Sequence, residues 1–274
     1  MFAGAEGNNF GRREAPALFY LNIPHQGSLK VILLATDLFT ANPAMDNIKK
    51  VIVEEGYFIA PHFYSDKFVD EIIEQLNRHS ALQYSKQNPS DFTLLTNIPF
   101  IKDLAHSQPL FSSVKQVIGE NAFPANCFVL DKTLDNNWGL DWHQDLKIAV
   151  KNKIETVGYS NWTVECGIFH TIPPKEILEK RLSVRIHLDD CLIENGTILI
   201  APKSHKFGIL NDRAEIEKII IGETHYCEIE KGGVMFITPL LLHKSPYSLT
   251  NKKRRILQID YVATSLANGL EWYH

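Results

Sequence analysis

Leu182-Ser183-Val184-Arg185-Ile186-His187-Leu188-Asp189 alternates apolar and polar residues without a break. Successive side chains on a strand leave opposite faces, so Leu182, Val184, Ile186 and Leu188 share one face and Ser183, Arg185, His187 and Asp189 the other. The polar face has two readings. It is either solvated, as is usual for an antiparallel sheet, or it lines a barrel interior, with Arg185 and His187 near a bound anion. Comparable runs surround it at 127–134, 197–201, 226–229, 234–238 and 255–262, with Asn195-Gly196, Gly232-Gly233 and Pro239 as turns.

Upstream the pattern is helical. Residues 47–55 suit a short helix stopped by Gly56, and 57–60 suit a strand. Ser65 suits the N-cap of a helix reaching about His79, with Phe68, Ile72, Ile73 and Leu76 as its apolar stripe. Further helices are expected at 111–120, 173–181 and 212–220. Helices first and many short strands afterwards predict a mainly β (α+β) chain, a two-sheet barrel or jelly roll with helices packed outside.

At 274 residues the chain fits one large domain. A 45% hydrophobic and 22% charged composition is that of a globular protein and argues against disorder. A net charge of −4 points to no nucleic-acid partner, and Lys252-Lys253-Arg254-Arg255 is too short a cluster to track phosphates. Cys127, Cys166, Cys191 and Cys227 form no CxxC pair, which speaks against a zinc ribbon and for a reducing cytoplasm. The apolar run Val31 to Ala35 is far shorter than a membrane span. Residues 1–44, rich in Gly, Asn and Pro, read either as an extension or as an ordered edge of the domain that occupies 45–274.

The chemistry centres on Trp142-His143-Gln144-Asp145. An imidazole and a carboxylate two positions apart on extended chain point the same way and can share one metal. A second histidine would complete a 2-His-1-carboxylate facial triad with open positions for substrate and oxygen. His243, 98 positions after Asp145 and just past a strand, can supply it from another strand. Taken alone, HxD also fits a surface loop.

The motif keeps informative company. Downstream stand Glu194-Asn195-Gly196-Thr197, Ala201-Pro202-Lys203-Ser204-His205, Gly232-Gly233, Leu242-His243-Lys244-Ser245 and Arg254-Arg255, and Glu54-Glu55-Gly56-Tyr57 precedes them. This order resembles the phytanoyl-CoA dioxygenase family of Fe(II)- and 2-oxoglutarate-dependent oxygenases, over roughly 46–265. Gly233 departs from the family's usual Gly-Asp turn.

The resemblance implies a cupin-like double-stranded β-helix with Fe(II) on His143, Asp145 and His243, and O2 and 2-oxoglutarate as co-substrates. The distal carboxylate of 2-oxoglutarate would meet Arg254 and Ser245. Arg254 is preferred over Arg255 because it follows His243 by the family's spacing of eleven. A small molecule, anionic groups included, would be hydroxylated with release of succinate and carbon dioxide. Halogenating relatives carry Gly or Ala where Asp145 stands, so hydroxylation is favoured. The rival expectation is a silent or 2-oxoglutarate-independent metal-binding relative on the same barrel.

Segment 146–181 reads as a lid, with Trp162 and His170 as candidate substrate contacts beside Trp142 and Gln144. His205 is expected to bond backbone within its own turn.

Overall fold

A computed structural model describes residues 45, 47–79 and 93–273. The expectation for residues 1–44 lies outside this range. The chain opens with α1 (Ile48–Glu55), β1 (Tyr57–Ala60), α2 (Asp66–Arg78), α3 (Leu94–Asn97), α4 (Pro99–Ala105) and α5 (Leu110–Ile118). There follow β2 (Phe123–Lys132), β3 (Leu140–His143), β4 (Ile148–Val150), β5 (Ser160–Glu165), β6 (Ile168–Ile172), α6 (Lys175–Leu178) and β7 (Arg181–His187). The last part comprises β8 (Leu199–Ile200), α7 (Arg213–Ile220), β9 (His225–Tyr226), β10 (Val234–Ile237), β11 (His243–Ser245) and β12 (Arg254–Val262). None of the helices among the described residues is long and apolar enough to cross a membrane.

Helix α1 stops at Gly56, which takes φ 88. A Cβ there would lie 2.6 Å from the His205 ring and 2.7 Å from Leu241, so both the backbone and the close packing require glycine. At α2 the Ser65 hydroxyl accepts from the Phe68 amide, as an N-cap should. The buried stripe is Val69, Ile72 and Leu76; Phe68 and Ile73 flank it and are only partly buried.

Five antiparallel strands form the larger sheet in the order β1-β10-β7-β12-β2, and four form a smaller one, β3-β11-β8-β9. One face of the larger sheet carries Val184, Ile186, Leu257, Ile259, Tyr261 and Phe236, and packs on the N-terminal helices in the main core. From its other face Met235 and Ile237 meet Ile198 and Ile200 of the smaller sheet. The architecture is therefore a jelly roll of two facing sheets with helices outside. Among the described residues the ladders do not join the two sheets into a closed barrel.

Of the two readings of the β7 polar face the interior one holds: every residue of the strand is buried, with the helices on one side of the sheet and the smaller sheet on the other. Two expectations need correction. Segment 146–181 is not a loop lid. It folds as the sheet β4-β6-β5 over a core of its own that includes Ile148, Val150, Tyr159, Leu178 and Trp272. Strand β2 runs Phe123–Lys132, starting earlier and ending sooner than its apolar run suggests.

Candidate metal centre

Strand β11 pairs with β3 so that His243 lies directly opposite His143. Their ring centroids are 4.3 Å apart. Asp145 sits two residues beyond His143, its backbone amide donating to the Pro239 carbonyl at 2.9 Å. This brings the Asp145 carboxylate to 3.8 Å from His143 Nε2 and 3.6 Å from His243 Nε2. One potential ligand atom from each of the three residues lies within 4.8 Å of the others. Two imidazoles and one carboxylate gathered in this way are a donor set that could hold one divalent ion.

Hydrogen bonds fix which nitrogens face the centre. Nδ1 of His143 lies 2.7 Å from the Asp141 carbonyl, and Nδ1 of His243 lies 3.0 Å from the Leu241 carbonyl. A carbonyl only accepts, so each Nδ1 carries the hydrogen and each Nε2 presents a lone pair. Burial, helped by Arg185 and His143 and opposed by Asp145, pushes the His243 imidazole down to about 4, which leaves it neutral at physiological pH. Burial opposes ionisation of Asp145, but His243, Arg185, His143 and Arg181 outweigh it and hold the carboxyl well below the usual range.

A ladder of buried polar side chains across β7 and β12 supports Asp145. Arg185 donates to its Oδ2 at 3.1 Å and through Nε to Gln258 at 2.8 Å. Gln258 donates to Asp260 at 3.0 Å, and Asp260 also accepts from Ser183 at 2.6 Å and Arg181 at 2.7 Å. Arg181 returns to the Asp145 and Lys147 carbonyls at 2.9 and 3.0 Å.

A cavity of about 90 Å³ leads inward from the three residues, lined by Phe128, Trp138, Arg185, Ser245, Arg254 and Gln258 among others. At its inner end Arg254 is 1% exposed, and its Nε and Nη2 have no hydrogen-bond partner. Its Nη1 reaches only the Cys191 sulfur, at 4.0 Å. Arg255 behaves otherwise. It grips Asp189 through Nε and Nη2, both at 2.7 Å, and this bidentate pair raises its pKa. A buried guanidinium with free donors fits a carboxylate that comes from outside the chain.

A larger cavity, of about 610 Å³, adjoins the same centre and shares His143, Asp145 and Gln258 with the first. His170 and Gln144 line it. Gln144 is committed to structure: its amide donates to the Gly208 and Leu240 carbonyls and accepts from the Leu210 amide. Trp142 packs on Ala201 and Leu242 instead of lining either cavity, and Trp162 packs in the core of the small β4–β6 sheet. His187 is buried with Nδ1 3.2 Å from the Gly233 carbonyl, and burial, with Arg254 and Arg185 nearby, pushes it down to about 3. His205 bonds not its own turn but the Val53 carbonyl of α1, at 3.1 Å.

Sequence reasoning missed Lys132, Trp138, Gln258 and Asp260. The last two were within reach, because they alternate with Arg254 and Ile256 on one face of β12. Lys132 follows Asp131 at the end of β2, and a charged pair there does not differ from an ordinary strand terminus.

No curated protein is significantly similar in sequence to this chain. Its fold is shared by the non-heme alpha ketoglutarate dependent epimerase SnoN from nogalamycin biosynthesis, with TM-score 0.60 and 15% identity over 81% of this chain and 82% of that one. The carbocyclase SnoK from the same biosynthesis matches with TM-score 0.61 and 13% identity, over 83% and 85%. HygX from Streptomyces hygroscopicus, solved with nickel and 2-oxoglutarate bound, matches with TM-score 0.55 and 17% identity, over 80% and 87%. The family model for phytanoyl-CoA dioxygenase (PhyH) matches residues 52–256, well over half of the sequence, and the chain belongs to that family.

Proposed function

We propose that the protein is an Fe(II)- and 2-oxoglutarate-dependent oxygenase that hydroxylates a small molecule. The observation that carries this reading is the cavity joining His143, Asp145 and His243 to Arg254, whose Nε and Nη2 have no hydrogen-bond partner. A metal at the three ligands and a carboxylate at Arg254 would account for both ends. The family membership and the 2-oxoglutarate found with HygX support the same assignment.

His143 and His243 would hold iron through Nε2 and Asp145 through its carboxylate. Arg254 and Ser245 would bind the distal carboxylate of 2-oxoglutarate. The bound iron and 2-oxoglutarate would supply the oxidation, with succinate and carbon dioxide as products. The chain's own part is to orient and to exclude water: Arg185 keeps the Asp145 carboxylate turned to the metal, and β7 and β12 seal the inner end. Asp145 supports hydroxylation over halogenation, because a carboxylate there fills the position a halide would need.

The larger cavity is the expected substrate site. It suits a neutral substrate better than an anionic one, since Arg181 is paired with Asp260 and Lys147 with Glu165. Asn126 Oδ1, buried in its wall without a partner, offers one acceptor for a substrate hydroxyl or amide. A metal-binding relative that does not use 2-oxoglutarate would leave Arg254 buried and unpaired, at a cost with no return.

The test is to load the protein anaerobically with iron and 2-oxoglutarate, screen a metabolite library, and admit oxygen. Succinate released in step with a product one oxygen heavier is expected. Failure of the iron-loaded protein to bind 2-oxoglutarate would overturn the reading; turnover without oxygen incorporation would replace hydroxylation with another oxidation.

A further inference from the structure

The register of β2 on β12 sets Lys132 directly opposite Arg254. Both side chains enter the interior, Lys132 being 0% and Arg254 1% exposed. They approach one aromatic ring, the Lys132 ammonium 4.1 Å and the Arg254 guanidinium 5.4 Å from the centroid of Trp138. Like charges paired across a ladder repel, and a low-dielectric interior strengthens the repulsion. Among the described residues no carboxylate forms an ion pair with either group; Asp131, beside Lys132, leaves the opposite face of its strand. The pairing is costly in the unliganded protein and becomes favourable once an anion occupies the cavity that Arg254 and Ser245 line.

The hydrogen bonds show how Lys132 would act. Its ammonium donates to Ser245 Oγ at 3.0 Å and to the Pro246 carbonyl. Ser245 and Arg254 line the inner cavity; Lys132 stands behind them. With the Ser245 oxygen occupied as an acceptor, its hydroxyl hydrogen is left to donate into the cavity. Gly196 lets the Pro246 carbonyl come this close, because a Cβ at that position would lie 2.7 Å from the oxygen and 3.2 Å from the Lys132 ammonium.

We propose that Lys132 is a positioning residue for 2-oxoglutarate, and that the cross-strand Lys132–Arg254 pair is a doubly cationic seat for its distal carboxylate. Arg254 touches the carboxylate; Lys132 acts through the Ser245 hydroxyl and through its own charge. The inference rests on the 2-oxoglutarate reading above.

A proton accompanies this arrangement. Burial, with the Arg254 charge beside it, brings the Lys132 ammonium down to about 7. The groups facing it are Arg254 from β12, Ser245 and the Pro246 carbonyl from β11 and its end, Trp138 from the segment after β2, and Cys191 from the segment after β7. Next to Arg254, His187 is held neutral by burial. Above neutral pH the free protein carries Lys132 largely uncharged, and an arriving carboxylate favours its protonation. Binding of 2-oxoglutarate at about pH 8 therefore takes up a proton.

Calorimetric titration of the nickel-loaded protein with 2-oxoglutarate tests this, at about pH 8 in two buffers of different ionisation enthalpy. The parent is compared with Lys132→Met and Lys132→Gln; the glutamine can still hydrogen-bond Ser245 and serves if methionine impairs folding. Both variants should bind about tenfold or more weakly, take up no proton and keep the parent's nickel affinity. 2-Oxobutyrate, which lacks the distal carboxylate, should bind the parent and both variants equally weakly. Variants that bind 2-oxoglutarate like the parent, or that still take up the proton, would overturn the role of Lys132 alone. A nickel-loaded parent that binds no 2-oxoglutarate would overturn the functional reading and this inference with it.

Discussion

Replacing Arg254 or Arg255 by methionine should produce opposite phenotypes, although the two residues are neighbours in sequence. Arg255 holds Asp189 through two bonds of 2.7 Å, and the Asp189 carboxylate also accepts the Arg255 backbone amide at 3.0 Å. The pair is largely shielded, with side-chain exposures of 13% and 21%. Its loss should lower folding stability by about 1–3 kcal/mol, the range for hydrogen bonds to charged groups. Nothing connects Arg255 to the inner cavity, so its variant should bind 2-oxoglutarate like the parent. Arg254 makes no ion pair among the described residues and faces Lys132 across the ladder. Removing it should leave the unliganded protein as stable as the parent or more so. Its variant should instead lose the charge-assisted contact to the co-substrate, about 2–5 kcal/mol, or roughly 30- to several-thousand-fold in affinity. Urea unfolding of the unliganded proteins and calorimetric titration of the nickel-loaded ones separate the two effects. An Arg254→Met protein that unfolds early yet binds 2-oxoglutarate normally, beside an Arg255→Met protein that binds none, would refute the assignment.

Arg185→Met should weaken metal binding by roughly 10–100-fold, because Asp145 loses the bond that orients it; iron titration measures this, and an unchanged affinity would show that Asp145 needs no such support. His143→Ala should abolish iron binding in a folded protein, as read by iron content and circular dichroism. It is a cleaner variant than Asp145→Ala, which also leaves Arg185 buried without its carboxylate. Stability of the unliganded protein should rise with pH between about 7 and 10.5, since the folded pKa of Lys132 lies below its ordinary value of 10.5 and the unfolded chain binds the extra proton across that window. Below about 7 both states are protonated and the full penalty is present; Lys132→Met should show no such rise in thermal melts taken across this range.

Much of this is legible in the sequence alone. Gly56, Ser65 and the alternation of β7 act locally: a left-handed terminus, a capping hydroxyl and a period of two follow from the residues themselves. For His143 and Asp145 the spacing of two shows only that both can point the same way; the ordered motifs downstream separate them from a surface loop. His243 was reached through its motif, since no local rule ties it to a strand 98 residues away. The sheet β4-β6-β5 was not legible. Its strands are short, β5 is mostly exposed, and the turn between β5 and β6 uses Cys166-Gly167, with Cys166 at φ 55, where no familiar turn pair stands.

The polar face of β7 shows where alternation stops informing. A polar strand face reads as solvent only if nothing lies over it, and that depends on a second sheet which the strand's own residues cannot announce. What marks the face as interior is the pairing across the ladder. Arg185 stands opposite Gln258 and Ser183 opposite Asp260, each a donor against an acceptor, so that buried polar groups satisfy one another. By the same measure Arg254 opposite Lys132 is a pairing of like charges in an interior that elsewhere matches donor to acceptor. A folded chain can keep such a pair only if its function repays the stability lost. The mismatch is therefore the part of the sheet that points outside the protein, to an anion the chain does not itself contain.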